Sequence, residues 1–364
     1  MKKRVRLSPA EARALNVAQK QLEKNQNPVR VVLNKYELEE LNKLRHEGVH
    51  TYCQTRGIDF NSIIEYWDKT KEYSIRVRPE VKAINDISKE VIEQMQEYSP
   101  VYPEIKRKSQ SNPHLLVVDP ADVHIGKLSR AFETGEEYDS EIAVQRVREG
   151  VQGILDKSSG FNIDKILLII GNDILHIDTP KRTTTSGTPQ DTDGMWYENF
   201  LTAVRLYVDV INILTQVADV QVQYNPSNHD YANGFFLAQL LEAHFNNSKN
   251  VSFDVSISHR KYFVYGLNLI GSTHGDGAKI QDLPLLMAHE AKQWSITKHR
   301  YIYTHHLHHK TSKDIMSVCV EALRSPSGTD SWHHRNGYQF APKAIEGFIH
   351  HKDFGQISRI THIF

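Results

Sequence analysis

From His114 onward the chain alternates short apolar runs with amphipathic segments, and most of the runs end in a short motif rich in Asp, Asn and His. Short apolar runs bounded by polar turns read as strands, whereas apolar residues recurring every three or four positions read as helices. Strands are expected at 115–118, 165–170, 220–224, 262–265, 267–271, 301–303 and 315–323, and helices at 140–157, 195–217, 233–246 and 284–294. In the first helix Val144, Val147, Val151 and Ile154 recur at the spacing that lays a stripe against a sheet. Strands interleaved with helices predict an α/β layered domain.

The polar motifs stand in one order. Asp122-Val123-His124 follows the first run, Gly171-Asn172-Asp173 the second, and Ser227-Asn228-His229-Asp230 the third. His274-Gly275-Asp276 follows the run ending at Gly271, and His305-His306-Leu307-His308 the run ending at Tyr303. In open α/β sheets ligands collect at the carboxyl ends of strands, so motifs distant in sequence can converge. Residues two apart in an extended segment point the same way, which would let Asp122 and His124, or His306 and His308, address one locus.

The chain has 364 residues, which favours two domains over one. Of 20 histidines only His46 and His50 precede residue 110, so imidazole chemistry belongs to the later part. Residues 1–110 hold 21 Lys and Arg against 16 Asp and Glu, a net of +5, and the remainder is −5. That asymmetry suits a first segment facing a polyanion and a second segment rich in carboxylates. No uninterrupted apolar run is long enough to cross a bilayer, and the basic start Met1–Arg6 is followed by no signal-peptide pattern. An intracellular location is expected. Cys53 and Cys319 are far apart and make neither a disulfide framework nor a thiolate metal site, so both are expected as plain buried thiols.

Residues 1–110 are expected to form a mainly helical domain. Ser8-Pro9 opens a helix over 8–24, a second follows around 36–55, and Gly57 turns the chain into a helix ending near Trp67. With the strand-like residues 73–78 this resembles a winged helix-turn-helix that binds DNA; the plainer reading is a solvated helical domain that packs on the second domain or makes a dimer. Residues 79–112 carry a helical pattern through Val91 and Met95, then Pro100, Pro103 and Lys106-Arg107-Lys108, and read as a linker. The second domain is expected over 113–364.

In order and spacing the motif series resembles the calcineurin-like metallophosphoesterases, whose pattern runs D-x-H, G-D, G-N-H-D/E, H and G-H-x-H. The resemblance spans roughly residues 114–310, and Asp122-Val123-His124-Ile125-Gly126-Lys127 with His274-Gly275-Asp276 looks most like DNA repair exonucleases of double-strand-break processing. It implies a four-layered α/β/β/α sandwich of two parallel or mixed sheets with helices outside. It also implies two divalent metals, with Asp173 as the bridging carboxylate. Asp122, His124 and His308 would complete one metal site, and Asn228, His274 and His306 the other. Such nitrogen and oxygen donors suit manganese, iron or zinc better than calcium. The resemblance points to manganese, with magnesium a further candidate. His229 would then assist the leaving group, with Asp230 fixing its tautomer. Asp230 has a plainer reading as the cap of the next helix, and Asp276 one as a turn residue.

Three positions depart from the family pattern: Ser227 and His305 where glycine is usual, and Asn172 between Gly171 and Asp173. The polar stretch from His176 through Gly187 to Asp193 is expected to border the substrate groove, with Lys181 and Arg182 meeting phosphate. Near the end, residues 325–334 offer two readings, a rim loop whose Trp332 is a platform for a base or a loop whose Trp332 simply packs. His333 and His334 stay outside the expected site. The expected activity is hydrolysis of a nucleic-acid phosphodiester, with DNA as partner and substrate, by metal-activated water without a covalent intermediate. Two rivals stay open: a phosphatase or cyclic-nucleotide phosphodiesterase, and a nucleic-acid-binding scaffold with a vestigial site.

Overall fold

The computed structural model describes residues 99–364 together with the backbone of two earlier strands, Tyr66–Lys69 (β1) and Ser74–Val77 (β2). The chain divides into two compact units, Met1–Ile87 and Ser88–Phe364. In the first unit β1 and β2 pair antiparallel, Tyr66 opposite Val77 and Lys69 opposite Ser74. The strand expected at 73–78 is β2, but Trp67 lies in β1 and not at a helix end. Adjacent aromatics with a facing partner strand favour extended backbone there. The helices expected over 8–24 and 36–55, the Gly57 turn, Cys53 and the pattern through Val91 and Met95 fall outside the described residues.

The second unit is built on two mixed sheets. The larger contains β3 (His114–Asp119), β4 (Ile163–Gly171), β5 (Asp219–Asn225), β6 (Val251–Asp254), β12 (Ala344–His351) and β13 (Gly355–Ile363), in the order β13-β12-β3-β4-β5-β6. Within it β3 to β6 run parallel, and β12 and β13 close one side antiparallel. The smaller sheet holds β7 (Lys261–Tyr265), β8 (Asn268–Thr273), β9 (His299–Thr304), β10 (Thr311–Ile315) and β11 (Val318–Ala322), in the order β10-β11-β9-β8-β7. Helices α1 (Ala131–Thr134), α2 (Ser140–Ser158), α3 (Trp196–Val217), α4 (Tyr231–His244), α5 (Leu283–Glu290) and α6 (Ser331–Arg335) complete the unit.

Strand alternation sorts the core into layers. Leu115 and Val117 of β3 and Leu167 and Ile169 of β4 face Ile270, Tyr303 and Phe348 between the sheets. Their neighbours Leu116, Val118, Ile166, Leu168 and Ile170 face Val147, Val151 and Ile154 of α2, Leu206 and Val210 of α3, and Leu237 of α4. On the far side Leu269, Ile302 and Val320 pack on Leu283 and Met287 of α5. The result is the expected α/β/β/α sandwich. Burial of both faces is why β3 and β4 read as continuous apolar runs. Among the described residues α3 alone is long and apolar enough, by length and composition, to cross a membrane. Its stripe of Ala203, Leu206, Tyr207, Val210, Ile211 and Leu214 is buried in the core.

Residues 99–112, within the stretch expected as a linker, run as irregular chain along the second unit. Tyr102 stacks on Phe245 at 5.1 Å, Ser99 Oγ donates to the His244 carbonyl at 2.6 Å, and Arg107 pairs with Asp219.

The strand expected at 315–323 is a hairpin of β10 and β11 turning at Met316, which has a φ of 53° and is exposed. β10 is an edge strand of Thr, Ser, Lys and Asp, so it lacks an apolar signal. β12 also escaped the reading because its polar residues are satisfied inside. Glu346, fully buried, takes Arg359 from β13 and Arg324, and Arg359 also reaches Glu321 of β11 in the other sheet. Replacing Arg359 with Met leaves two buried carboxylates short of a cation, and is expected to cost about 3–5 kcal/mol of unfolding free energy in urea. A cost below about 1 kcal/mol would mean that the inter-sheet ion pairs are idle.

His350, also buried, bonds through Nε2 to the Tyr303 hydroxyl at 2.9 Å. Burial, with His299 adding, pushes its pKa down to about 3. The unfolded chain therefore binds a proton below about 6.5 that the folded chain refuses until about 3. Stability is complete above that window and falls by about 1.4 kcal/mol per pH unit as pH drops through it. His350→Gln should flatten the acid limb by that slope in denaturation measured from pH 7 to 4, and an unchanged limb would exclude this histidine.

Candidate metal centre

The sharp turns that end β3, β4 and β9 are made by polar residues in left-handed backbone. Asp122 and His124 have φ values of 51° and 52°, Asn172 and Asp173 of 54° and 60°, and His306 and His308 of 70° and 56°. Each costs on the order of 1 kcal/mol for an L-residue, least for Asn and Asp. The site is therefore not built from extended segments as the alternation argument supposed. Asp122 and His124 do meet, but His306 and His308 diverge into different groups. Gly171, φ 87°, cannot be replaced cheaply, since a Cβ would lie 2.0 Å from the Asn225 carbonyl oxygen.

Backbone bonds knit the turns together. The amides of Asp122 and His124 donate to the carbonyls of Asn172 and Asp173 at 2.8 and 2.9 Å, and the His305 amide donates to the His274 carbonyl at 2.8 Å. The His306 amide donates to the Asp122 carboxylate at 3.1 Å.

Side chains gather in three groups among the described residues: Asp122, His124 and His308 in one, Asp173, His274 and His306 in a second, and His124, His176 and His229 in a third that shares His124 with the first. In the first, His308 Nε2 lies 3.2 Å from His124 Nε2 and 3.5 Å from Asp122 Oδ1. In the second, His274 Nε2 lies 3.2 Å from Asp173 Oδ2 and 2.9 Å from Asn228 Oδ1. Asp173 Oδ2 is also 3.9 Å from His124 Nε2, so one oxygen faces both groups, while Oδ1 is held by the His229 amide at 3.0 Å. All seven residues expected as ligands converge.

The donor set fits divalent ions. Donors about 2.1 Å from a common ion and separated by 90–110° lie about 3.0–3.4 Å from one another, close to the spacings above. Asp122 and Asp173 are 0% and 1% exposed, a pair of buried carboxylates that need compensating charge. Burial holds His124 well below its ordinary pKa and pushes His308 down to about 4. Two neutral imidazoles thus oppose ring nitrogens at 3.2 Å, an arrangement suited to sharing a cation. In the Asp173–His274 pair, burial alone would lower His274 and raise Asp173; their mutual attraction outweighs it, holding Asp173 down and His274 up at about 9.

His229 is half-buried beside these groups, its ring centroid 4.7 Å from that of His124. Its Nδ1 donates to the His176 carbonyl at 2.9 Å, and Nε2 has no hydrogen-bond partner among the described residues. Asp230 therefore does not fix its tautomer. That carboxylate accepts from Ser227 Oγ at 2.6 Å and the Leu175 amide at 2.9 Å, tying two loops together, and burial beside Asp173 lifts its pKa to about 7. Nor does its side chain cap α4, because the amides of Ala232 and Asn233 are taken by Asp178.

The departures acquire reasons here. Ser227 Oγ accepts from the Asp173 amide at 2.7 Å while bonding Asp230, a link glycine cannot make. His305 sits behind the site, with Nε2 2.9 Å from Asp119 Oδ2 and Nδ1 donating to the Thr273 carbonyl, so His306 and not His305 joins the ligand group. Asn172 continues the left-handed turn; both its side-chain polar atoms are buried without a partner among the described residues.

Sequence reasoning missed His176, whose Nδ1 is 3.3 Å from His124 Nδ1 and whose carbonyl orients His229. It also missed His333, which stacks on His308 at 5.0 Å. The first lay three residues past Asp173 in a stretch read only as loop, and the second has no sequence spacing that ties it to His308. Lys181 and Arg182 are exposed and touch none of the ligands. Their loop is nonetheless seated at the site, for the Thr185 amide donates to the Asn228 carbonyl at 3.3 Å.

No protein-family model and no curated protein matches the sequence. Solved structures do. An archaeal phosphodiesterase matches at 9% identity and a TM-score of 0.32, covering 69% of this chain and 99% of its own. A predicted phosphoesterase of Streptococcus pneumoniae TIGR4 matches at 14% and 0.27, covering 70% and 99%. Vps29 of Entamoeba histolytica, complexed with zinc, matches at 10% and 0.26, covering 69% and 98%. Similarity at that level assigns no chemistry, which has to come from the side chains themselves.

Proposed function

We propose that the chain is a dinuclear-metal-dependent phosphoesterase of the calcineurin-like kind that hydrolyses phosphodiesters of nucleic acid, DNA foremost. The observation that carries this reading is the single oxygen Asp173 Oδ2 facing both nitrogen groups. Two divalent ions held by such groups polarise a phosphoryl oxygen and activate water for attack on phosphorus. The chain's own part is positioning and proton transfer. With Nδ1 committed to the His176 carbonyl, His229 has Nε2 to deliver a proton to the departing oxygen. The His229 amide fixes the Asp173 carboxylate, so the residue that would serve the leaving group also aligns the bridge.

Preference for a polymer rests on the basic first 110 residues and on the exposed Lys181 and Arg182, whose loop meets Asn228 through the Thr185 amide. Alanine at both lysine and arginine should weaken oligonucleotide binding several-fold and reduce the slope of log affinity against log salt by about 1–2. An unchanged slope would remove that loop from the substrate path. The reading as a whole is tested by assaying the protein with manganese on single-stranded DNA, duplex DNA, RNA, a phosphomonoester and a cyclic nucleotide. Cleavage of the polymers is expected to dominate, and turnover confined to the small substrates would overturn the nuclease assignment.

A further inference from the structure

Residues 325–343 form a loop with the short helix α6, fixed to the metal centre. Ser325 Oγ donates to the Asp122 carbonyl at 2.6 Å. Lys127, 1% exposed, places Nζ 2.9 Å from Asp330 Oδ2. The other oxygen of Asp330 accepts from the His333 amide at 2.8 Å and lies 2.7 Å from its Nδ1. The Asn336 side chain and the Tyr338 amide donate to the carbonyls of Trp332 and His333 at 2.8 and 2.9 Å.

From this anchored frame a run of aromatic rings leads outward. His308, a ligand candidate, stacks on His333 at 5.0 Å and 16°, and His333 meets Trp332 edge-on at 5.0 Å and 82°. Trp332 then stacks with Tyr338 at 5.7 Å and 28°. Trp332 and Tyr338 are 61% and 64% exposed, although both belong to a segment held by buried ion pairing. Large rings that stay wet on a rigid support mark a binding surface. Arg335 on the same helix is exposed and has no ion pair among the described residues, so an anion beside the rings has a counter-charge.

We infer that Trp332 and Tyr338 form a stacking platform for one unpaired nucleobase flanking the scissile phosphate of a single-stranded nucleic acid. The inference rests on the proposed hydrolysis for the location of that phosphate. A base supplies the flat π-face these rings accept, and its backbone supplies the anion for Arg335. A peptide or a second copy of the chain would also cover the rings, but neither explains their continuity with a metal ligand.

The test uses the full chain in EDTA, with anisotropy of labelled oligothymidylate and of the same strand carrying one abasic site, repeated with the ribose counterpart. Wild type should lose about 5- to 100-fold in affinity when the abasic site occupies the platform position. Trp332→Ala should bind the intact strand that much more weakly and be indifferent to the abasic site, and Trp332→Phe should recover most of the loss. Equal losses in the deoxy and ribo series identify the base as the recognised group. The inference is overturned if wild type does not discriminate the abasic strand, if Trp332→Ala remains sensitive to it, or if Trp332→Ala instead dissociates an oligomer in sedimentation. Hydrolysis of bis(p-nitrophenyl) phosphate, which has no base, is measured beside these; its absence in wild type would refute the hydrolase reading alone, without touching the binding result.

Discussion

Replacing Asp173 with alanine is expected to lower hydrolysis by about 10³-fold or more and to abolish the stabilisation that manganese gives the wild type. Both effects follow from one oxygen facing His274 Nε2 at 3.2 Å and His124 Nε2 at 3.9 Å. Without it the two groups lose their common ligand and the buried cluster loses a negative charge. The metal-free variant should be less stable than metal-free wild type, since removing Asp173 leaves the buried His274 without the opposite charge that holds its pKa up. Thermal denaturation with and without manganese separates these effects. A variant that keeps wild-type turnover, or the full metal-induced rise in Tm, contradicts the bridging role.

His229→Ala carries the second large effect, a fall of about 10²- to 10⁴-fold with bound metal unchanged. Its Nδ1 is held by a carbonyl, which leaves Nε2 as the atom that would move a proton. The penalty should depend on the leaving group. Nitrophenolate departs without a proton, so the loss on bis(p-nitrophenyl) phosphate should be at least about 10-fold smaller than on an internucleotide bond. Because ligand atoms of His124, His176 and His229 lie within 4.8 Å of one another, metal content is the discriminating readout. Loss of a metal equivalent in His229→Ala would make this ring a ligand.

Much of this site is legible in the sequence, because strands buried on both faces announce themselves and the residues that gather here lie at their polar ends. Asp122, His124, Asp173, Asn228, His274, His306 and His308 follow from that rule together with the family pattern. What stayed hidden depends on contacts that leave no periodicity. His176 acts through its backbone carbonyl, which any residue type supplies. Asp230 looked like the partner of its neighbour His229, yet its oxygens turn to Ser227 and Leu175. His333 reaches His308 only because Lys127 and Asp330 pin a distant loop in place. β12 escaped because Glu346 and His350 are satisfied by Arg324, Arg359 and Tyr303, so a strand buried but for His351 carries charged and imidazole side chains.

The left-handed turns carry a related lesson. Alternation along an extended segment would have sent His306 and His308 to one place; their φ values of 70° and 56° split them between two groups. Geometry that strained is retained where several bonds over-determine it, as the Asp122 carboxylate does by accepting the His306 amide.

The most direct measurement is anomalous diffraction at the manganese edge from crystals grown with that metal. Two peaks about 3.5–4 Å apart are expected, one bounded by Asp122, His124 and His308, the other by Asn228, His274 and His306, with Asp173 common to both. A single peak, or peaks away from Asp173, would contradict the account.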